Sequence, residues 1–278
     1  MDFTTLSAHQ GKLMVSVGDS FTEGMCDDLQ PDGSFRGWAD RVAERLAADD
    51  PHLRYANLAV RGKLIGQIER DQVPVAAALE PDLITLAGGL NDVLRPRCDM
   101  KVVEASVRSC ITQLQAGKAT LVLFRPTDPR RRMRGSQRLM PNVNRLIELV
   151  DEYGEAPNTV VVDLFTARVF DDPRMWDEDR LHFSPQGHRR VAEAVLQALG
   201  AAPSFDWHAG LPPVRPKPWL QARRQDLRWL RVYLLPWIGR RITGKSSGDG
   251  RLAKRPEPTP MTRPTPMTEP TPMTEAAE

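Results

Sequence analysis

Leu13-Met14-Val15-Ser16-Val17-Gly18-Asp19-Ser20-Phe21 decides the reading of the fold: a short, mostly apolar run that suits a buried strand breaks at glycine and delivers a serine to the loop beyond it. The same texture recurs outward from this stretch. Residues 55–60, 83–87, 120–124 and 160–164 read as further strands. Between them, residues 38–48, 64–79, 102–115 and 137–153 carry the period of amphipathic helices, and residues 185–199 read as a closing helix.

Strict alternation of strand and helix has one economical solution. Parallel neighbours need crossover connections, and both faces of the sheet must be covered, so the pattern predicts a three-layer α/β/α sandwich, flavodoxin-like, with a five-stranded parallel sheet. In such folds ligands bind beyond the carboxyl ends of the strands, which turns attention to the loop after each one.

Composition narrows the class. The chain has 278 residues, enough for one large domain or two small ones. Its net charge of +2 hides a split, because residues 215–278 hold 13 basic and 6 acidic side chains against 25 and 30 in residues 1–214. Cys26, Cys98 and Cys110 form an odd set without CxxC spacing, which argues against a disulfide framework or a zinc site, so no metal is expected. Residues 1–12 are polar and lack the basic start and apolar run of a secretory leader. Nor is there a run of about 20 apolar residues, and the expected location is cytoplasmic.

Three loops and one late motif carry chemistry. Ser20 follows the first strand, where a serine alone is more often a turn or helix cap. After the second strand, Asn57-Leu58-Ala59-Val60-Arg61-Gly62 ends in a glycine that lets a backbone N–H approach a substrate oxygen. After the third, Gly88-Gly89-Leu90-Asn91-Asp92 places an amide that can donate to an oxyanion. Asp179-Arg180-Leu181-His182 precedes the last helix at a spacing that lets the carboxylate orient the imidazole.

In this order the four blocks resemble the SGNH hydrolase superfamily, the GDSL-type esterases and lipases, over roughly residues 12–200. The resemblance implies Ser20 as nucleophile, His182 as base and Asp179 as its partner, with the Ser20 N–H, the Gly62 N–H and the Asn91 amide as oxyanion hole, and no cofactor. Two departures touch no reacting atom: Phe21 replaces the leucine that names the GDSL subgroup, and Phe183 stands where many members have proline. The stretch from Pro236 to Gly250 is similar to an extension on actinobacterial members.

The chemistry is also arguable from the residues. A serine hydroxyl is a poor nucleophile until an imidazole takes its proton, and a carboxylate fixes the imidazole tautomer and stabilises its charged form. His188 reads as a residue on a helix face, whereas His9, His52 and His208 have no comparable context. Two pattern matches are refused. Residues 239–246 satisfy GxxxxGK[ST] and residues 244–248 satisfy GxSxG, but the first follows no buried strand and no histidine lies downstream of the second.

Residues 125–134 bring five arginines to the predicted ligand edge, either as a solvated basic loop or as an anchor for a phosphate or carboxylate. Trp176 either lines the acyl or alcohol pocket or packs beneath its loop. Residues 211–240 mix Trp and Leu with Arg, which suits packing across the body or a peripheral membrane contact; no nucleic-acid motif is present. The expected organisation is a catalytic domain over 1–205, a basic amphipathic extension over 206–244 and a disordered Pro/Thr-rich tail over 245–278, where Pro-Thr-Pro-Met-Thr recurs three times. The expected activity is carboxylic-ester hydrolysis of small or medium acyl esters through an acyl-enzyme. The competing class is a catalytically silent interaction or membrane-surface protein that keeps the fold.

Overall fold

The computed structural model describes residues 12–130, 132–133, 135–214, 218–243 and 246–261. The chain runs β1 (Leu13–Gly18), α1 (Ser20–Glu23), α2 (Gly37–Asp49), β2 (Arg54–Asn57), α3 (Ile65–Asp71), α4 (Val73–Ala78) and β3 (Leu83–Ala87). It continues through α5 (Leu90–Val93), α6 (Met100–Gln115), β4 (Thr120–Arg125), α7 (Met140–Gly154), β5 (Thr159–Asp163) and α8 (Pro185–Ala198). Strands β1 to β5 pair in parallel in the order β5-β4-β3-β1-β2. Chain direction across the sheet therefore reverses beside β1, and the carboxyl ends of β1 and β3 border the crevice where such folds place ligands.

Two apolar cores hold the layers. On one face Met14, Tyr55 and Val122 pack with Trp38, Val42, Val191 and Val195 of α2 and α8. On the other, Val15, Ile84 and Leu121 pack with Ile68, Val107, Ile111 and Leu149 of α3, α6 and α7. Successive strand residues alternate between the two clusters, as a sheet covered on both sides requires.

The five-stranded count needs correction, since β6 (Arg255–Pro260) pairs antiparallel with β2 and makes a sixth, edge strand. The expectation of a disordered tail from residue 245 fails over residues 246–261 for the same reason. The Met261 N–H donates to the Leu53 carbonyl at 3.0 Å, so the alternating Pro256, Pro258 and Pro260 fall on the free edge, where a missing N–H costs nothing and blocks further pairing. Met261 is buried in the α2/α8 core. Lys254 reaches inward as well: its Nζ donates to the Phe35 carbonyl at 2.7 Å, the Arg36 carbonyl at 2.9 Å and Asp40 Oδ2 at 2.8 Å. The remaining two repeats, over residues 264–275, lie outside the described residues.

Beyond α8 lies an arm of α9 (Trp219–Trp229), a π-helical turn (Leu230–Leu234) and α10 (Leu235–Ile242). Among the described residues no helix is long and apolar enough to cross a membrane.

Candidate active site

The end of β1 is held before it reaches the serine. Gln72 clasps Gly18 from both sides, its Oε1 accepting the Gly18 N–H at 2.8 Å and its Nε2 donating to the Gly18 carbonyl at 2.9 Å. Asp19 then caps α1 by accepting the Phe21 N–H at 3.0 Å, which places Ser20 as the first residue of that helix. Behind α1 a buried network continues to the tail. Asn57 Nδ2 donates to the Thr22 carbonyl at 3.0 Å and to Tyr55 Oη at 2.9 Å, and Tyr55 Oη–H donates to Asp40 Oδ1 at 2.9 Å.

Ser20 meets a histidine 162 residues away, its hydroxyl donating to His182 Nε2 at 2.9 Å. His182 Nδ1–H donates to Asp179 Oδ2 at 2.5 Å. An ionised carboxylate only accepts, so this bond puts the ring proton on Nδ1 and leaves Nε2 as the acceptor facing serine. The other carboxylate oxygen of Asp179 accepts the Leu181 N–H at 2.8 Å and the His182 N–H at 2.9 Å, a local turn that fixes both side chains in one geometry. Burial opposes ionisation of Asp179, but its bond to His182, the charge of that ring and these two backbone donors hold the carboxyl below the usual carboxylate range.

Gly62 and Asn91 line the same cleft as Ser20 and His182. Gly62 sits at φ +75°, and a Cβ there would fall 2.3 Å from Ser246 Oγ, so the position demands glycine. Asn91 Nδ2 donates to Asp19 Oδ2 at 2.8 Å and more weakly to the Lys63 carbonyl at 3.2 Å. Burial raises the Asp19 carboxyl to about 6, against the pull of its Phe21 N–H bond and the His182 charge. The structure thus brings Ser20, His182, Asp179, Gly62 and Asn91 to one edge of the sheet.

Several residues of this edge carry no motif. Glu23 grips the Gly62 loop, Oε2 accepting the Arg61 N–H at 2.6 Å and Oε1 the Arg61 Nε–H at 2.8 Å. Gln72 is equally silent in sequence. Ser246 donates to the Gly62 carbonyl at 3.2 Å, and a Cβ on Gly248 would lie 2.0 Å from the Arg61 carbonyl oxygen. The tail turn that mimics a P-loop and a nucleophile elbow is therefore a close-packed buttress of the Gly62 loop, while Gly244 and Lys245 lie outside the described residues.

Of the five arginines in residues 125–134, Arg131 and Arg134 lie outside the described residues. Arg125 pairs with Asp151 and Asp163, and Arg130 with Asp128, so neither guanidinium is offered to a ligand. Arg132 differs, lying 3.4 Å from the Trp176 ring centroid and donating Nη1–H to the Arg180 carbonyl at 2.6 Å; burial lowers it to about 10, leaving it charged at neutral pH. Trp176 stacks on Phe183 at the edge of the α2/α8 core and also lines the inner cavity beside Ser20, and its Nε1–H donates to the Phe170 carbonyl at 2.8 Å. His188 lies on the buried face of α8. Burial lowers it to about 4, so it stays neutral and donates Nε2–H to the Met25 carbonyl at 2.9 Å.

Among the described residues the group of three side chains close enough to share a metal is Cys26, Asp179 and His182. Its donors suit proton transfer better than metal binding. The ring is committed to Ser20 and Asp179, and burial, reinforced by the Asp179 charge, pushes the Cys26 thiol up and keeps it protonated.

Two spaces meet at Ser20. An open cleft of about 1210 Å³ runs from Ser20, Gly62 and His182 to the arm, and a narrower, mostly apolar cavity of about 170 Å³ runs inward past Asn91, Leu94, Val143 and Leu146.

A hydroxyl, imidazole and carboxylate in line at the carboxyl edge of a 2-1-3-4-5 parallel sheet define an SGNH-type hydrolase. Residues 16–190 match the GDSL-like lipase/acylhydrolase family, and the chain belongs to that family; it is a carboxylic-ester hydrolase. It is similar to an acetylxylan esterase of Geobacillus stearothermophilus, 26% identical over 227 residues that cover 71% of this chain and 96% of that protein. Among solved structures, an acetyl xylan esterase from Geobacillus stearothermophilus superposes with TM-score 0.58 at 22% identity, covering 69% of this chain and 95% of that one. The α/β hydrolase LAE5 from the metagenome of Lake Arreo, Spain, gives 0.57 at 21% identity, covering 69% and 97%. At these identities the structural likeness speaks for the fold.

Proposed function

We propose that the protein is a serine esterase that acts through an acyl-enzyme on Ser20 and accepts small or medium acyl groups. The observation that carries this reading is the continuous bond chain from Ser20 Oγ through His182 to Asp179, at 2.9 Å and 2.5 Å. His182 Nε2 takes the hydroxyl proton as Oγ bonds to the ester carbonyl carbon, and Asp179 stabilises the resulting imidazolium. The carbonyl oxygen becomes an oxyanion facing the Ser20 N–H, the Gly62 N–H and Asn91 Nδ2, whose longer bond to the Lys63 carbonyl is the one exchanged for it. Collapse breaks the bond to the alcohol oxygen, which receives the proton from His182. Water, deprotonated by the same ring, then frees the acid and restores Ser20.

The inner cavity sets the acyl size. A cavity of roughly 150 Å³ accepts benzene, and the 170 Å³ here suits an acyl chain of similar bulk. The reaction takes a small-molecule ester, and every proton and bond in it is handled by Ser20, His182, Asp179 and water, without a cofactor. The working unit comprises the body through residue 205 together with the tail segment 246–261 docked on it. Hydrolysis of butyrate and hexanoate esters by wild type and Ser20→Ala tests the reading: the variant is expected to lose about 10⁴–10⁶ in rate while melting normally. Retention of more than a tenth of the rate would remove Ser20 from the nucleophile's role.

A further inference from the structure

The arm lies outside the residues that match the family, and it closes the cleft on the side opposite the sheet. Its ties to the body are polar and sit beside the catalytic carboxylate. Trp229 Nε1–H donates to the Asp179 carbonyl at 2.8 Å, Arg228 pairs with Glu178 at 2.9 Å, and Arg180 pairs with Asp226 at 2.7 Å. Past α10, the chain returns to the body at Ser246, against Gly62. The arm thus spans the cleft from the Asp179 side to the Gly62 side.

Leu227, Leu230 and Leu234 belong to neither of the two apolar cores. No residue of α9 or the π-helical turn is buried, yet Leu227, Leu230, Leu234 and Trp237 recur at steps of 3, 4 and 3 and all line the cleft that holds Ser20. The stripe runs from α9 through the π-helical turn into α10. A helix face of that pattern normally covers a core; here it faces the space beside the nucleophile.

We infer that the arm is the wall of the alcohol side of the substrate site, and that the substrate is an ester whose alcohol carries an extended apolar chain lying along Leu230, Leu234 and Trp237. This rests on Ser20 as the nucleophile. The two spaces at Ser20 divide the ester between them. The narrow inner cavity takes the acyl group, and the larger cleft takes what leaves. A bare sugar alcohol would leave the stripe wet, whereas an alkyl chain covers it and removes its own surface from water.

The test holds the acyl group at acetate and lengthens the alcohol from ethyl to octyl. Full burial of a methylene is worth up to about fourfold, so kcat/KM is expected to rise about two- to fourfold per added carbon. In Leu230→Ser/Leu234→Ser that dependence flattens, while Leu230→Met/Leu234→Met keeps it. Equal slopes in wild type and the serine variant, or a change confined to the acyl series, would overturn the assignment. A turnover-free measurement separates this from failure of the nucleophile assignment: on Ser20→Ala, 1-octanol is expected to bind at least tenfold tighter than 1-butanol, and the serine pair to abolish the difference. Equal binding of the two alcohols to Ser20→Ala, or a difference that persists in the serine pair, would assign the stripe elsewhere.

Discussion

Lys254→Met removes one ammonium from the interior and leaves the methylene stem. The side chains of Lys254 and Asp40 are 8% and 2% exposed, so the lost partner strands a carboxylate with little water to replace it. Breaking a buried pair in this way costs about 3–5 kcal/mol. Asp40 keeps its bonds from Tyr55 Oη at 2.9 Å and Gln30 Nε2 at 3.2 Å, which favours the lower end, about 3 kcal/mol. At roughly 2–4 °C per kcal/mol, melting followed by circular dichroism at pH 8 should fall by about 6–12 °C. The pH dependence carries a sign. Burial already raises the Asp40 carboxyl in spite of the Lys254 charge, and without that charge it rises further. A carboxyl whose folded pKa is raised loses stability as pH climbs through that value, so the deficit of the variant is largest at alkaline pH and shrinks on acidification. A drop under about 2 °C at pH 8, or a deficit that grows in acid, would refute the idea that Lys254 pins the tail to the body.

Removing residues 246–278 should lower melting at least as much as Lys254→Met and cut ester turnover by roughly tenfold to a hundredfold, because the Gly62 loop loses its buttress; unchanged turnover with lowered melting would make the tail purely structural. Asn91→Ala should reduce kcat by about 10²–10³ with KM little changed, as expected for a donor whose bond strengthens at the oxyanion; a rise in KM alone would make it a ground-state contact. On the acid side, kcat/KM should fall as Asp19, raised to about 6, takes up a proton and loses the charge that holds Asn91. Asp19→Asn should change the shape of that acid limb, and an acid limb identical in Asp19→Asn and wild type would contradict the role of Asp19.

The five parallel strands were legible because each is a short apolar run between helical periods, and a sheet buried on both faces needs such runs. The site residues were legible for a related reason: Ser20, Gly62 and Asn91 follow strand ends, where the fold collects ligand contacts. Residues 64–79 read as one helix but form α3 and α4, divided where Gln72 turns inward to hold Gly18. Gln72 and Glu23 carry no sequence signal because their partners are backbone groups far away in sequence, a relation no local pattern records. The order of the tail is hidden for a different reason. Alternating prolines resemble low complexity, yet on an edge strand they occupy the positions that need no donor, and the signal lay in their two-residue spacing. The arm's apolar residues were visible, but which way they face depends on Asp179 and Glu178 holding Trp229 and Arg228.

Labelling with a fluorophosphonate reads directly whether Ser20 is a nucleophile activated by His182. The full-length protein should take up one adduct, located on Ser20 by peptide mass, with labelling absent in Ser20→Ala and slowed by orders of magnitude in His182→Ala. A folded protein that takes no adduct, or one that is modified at Ser246 in place of Ser20, would contradict the account.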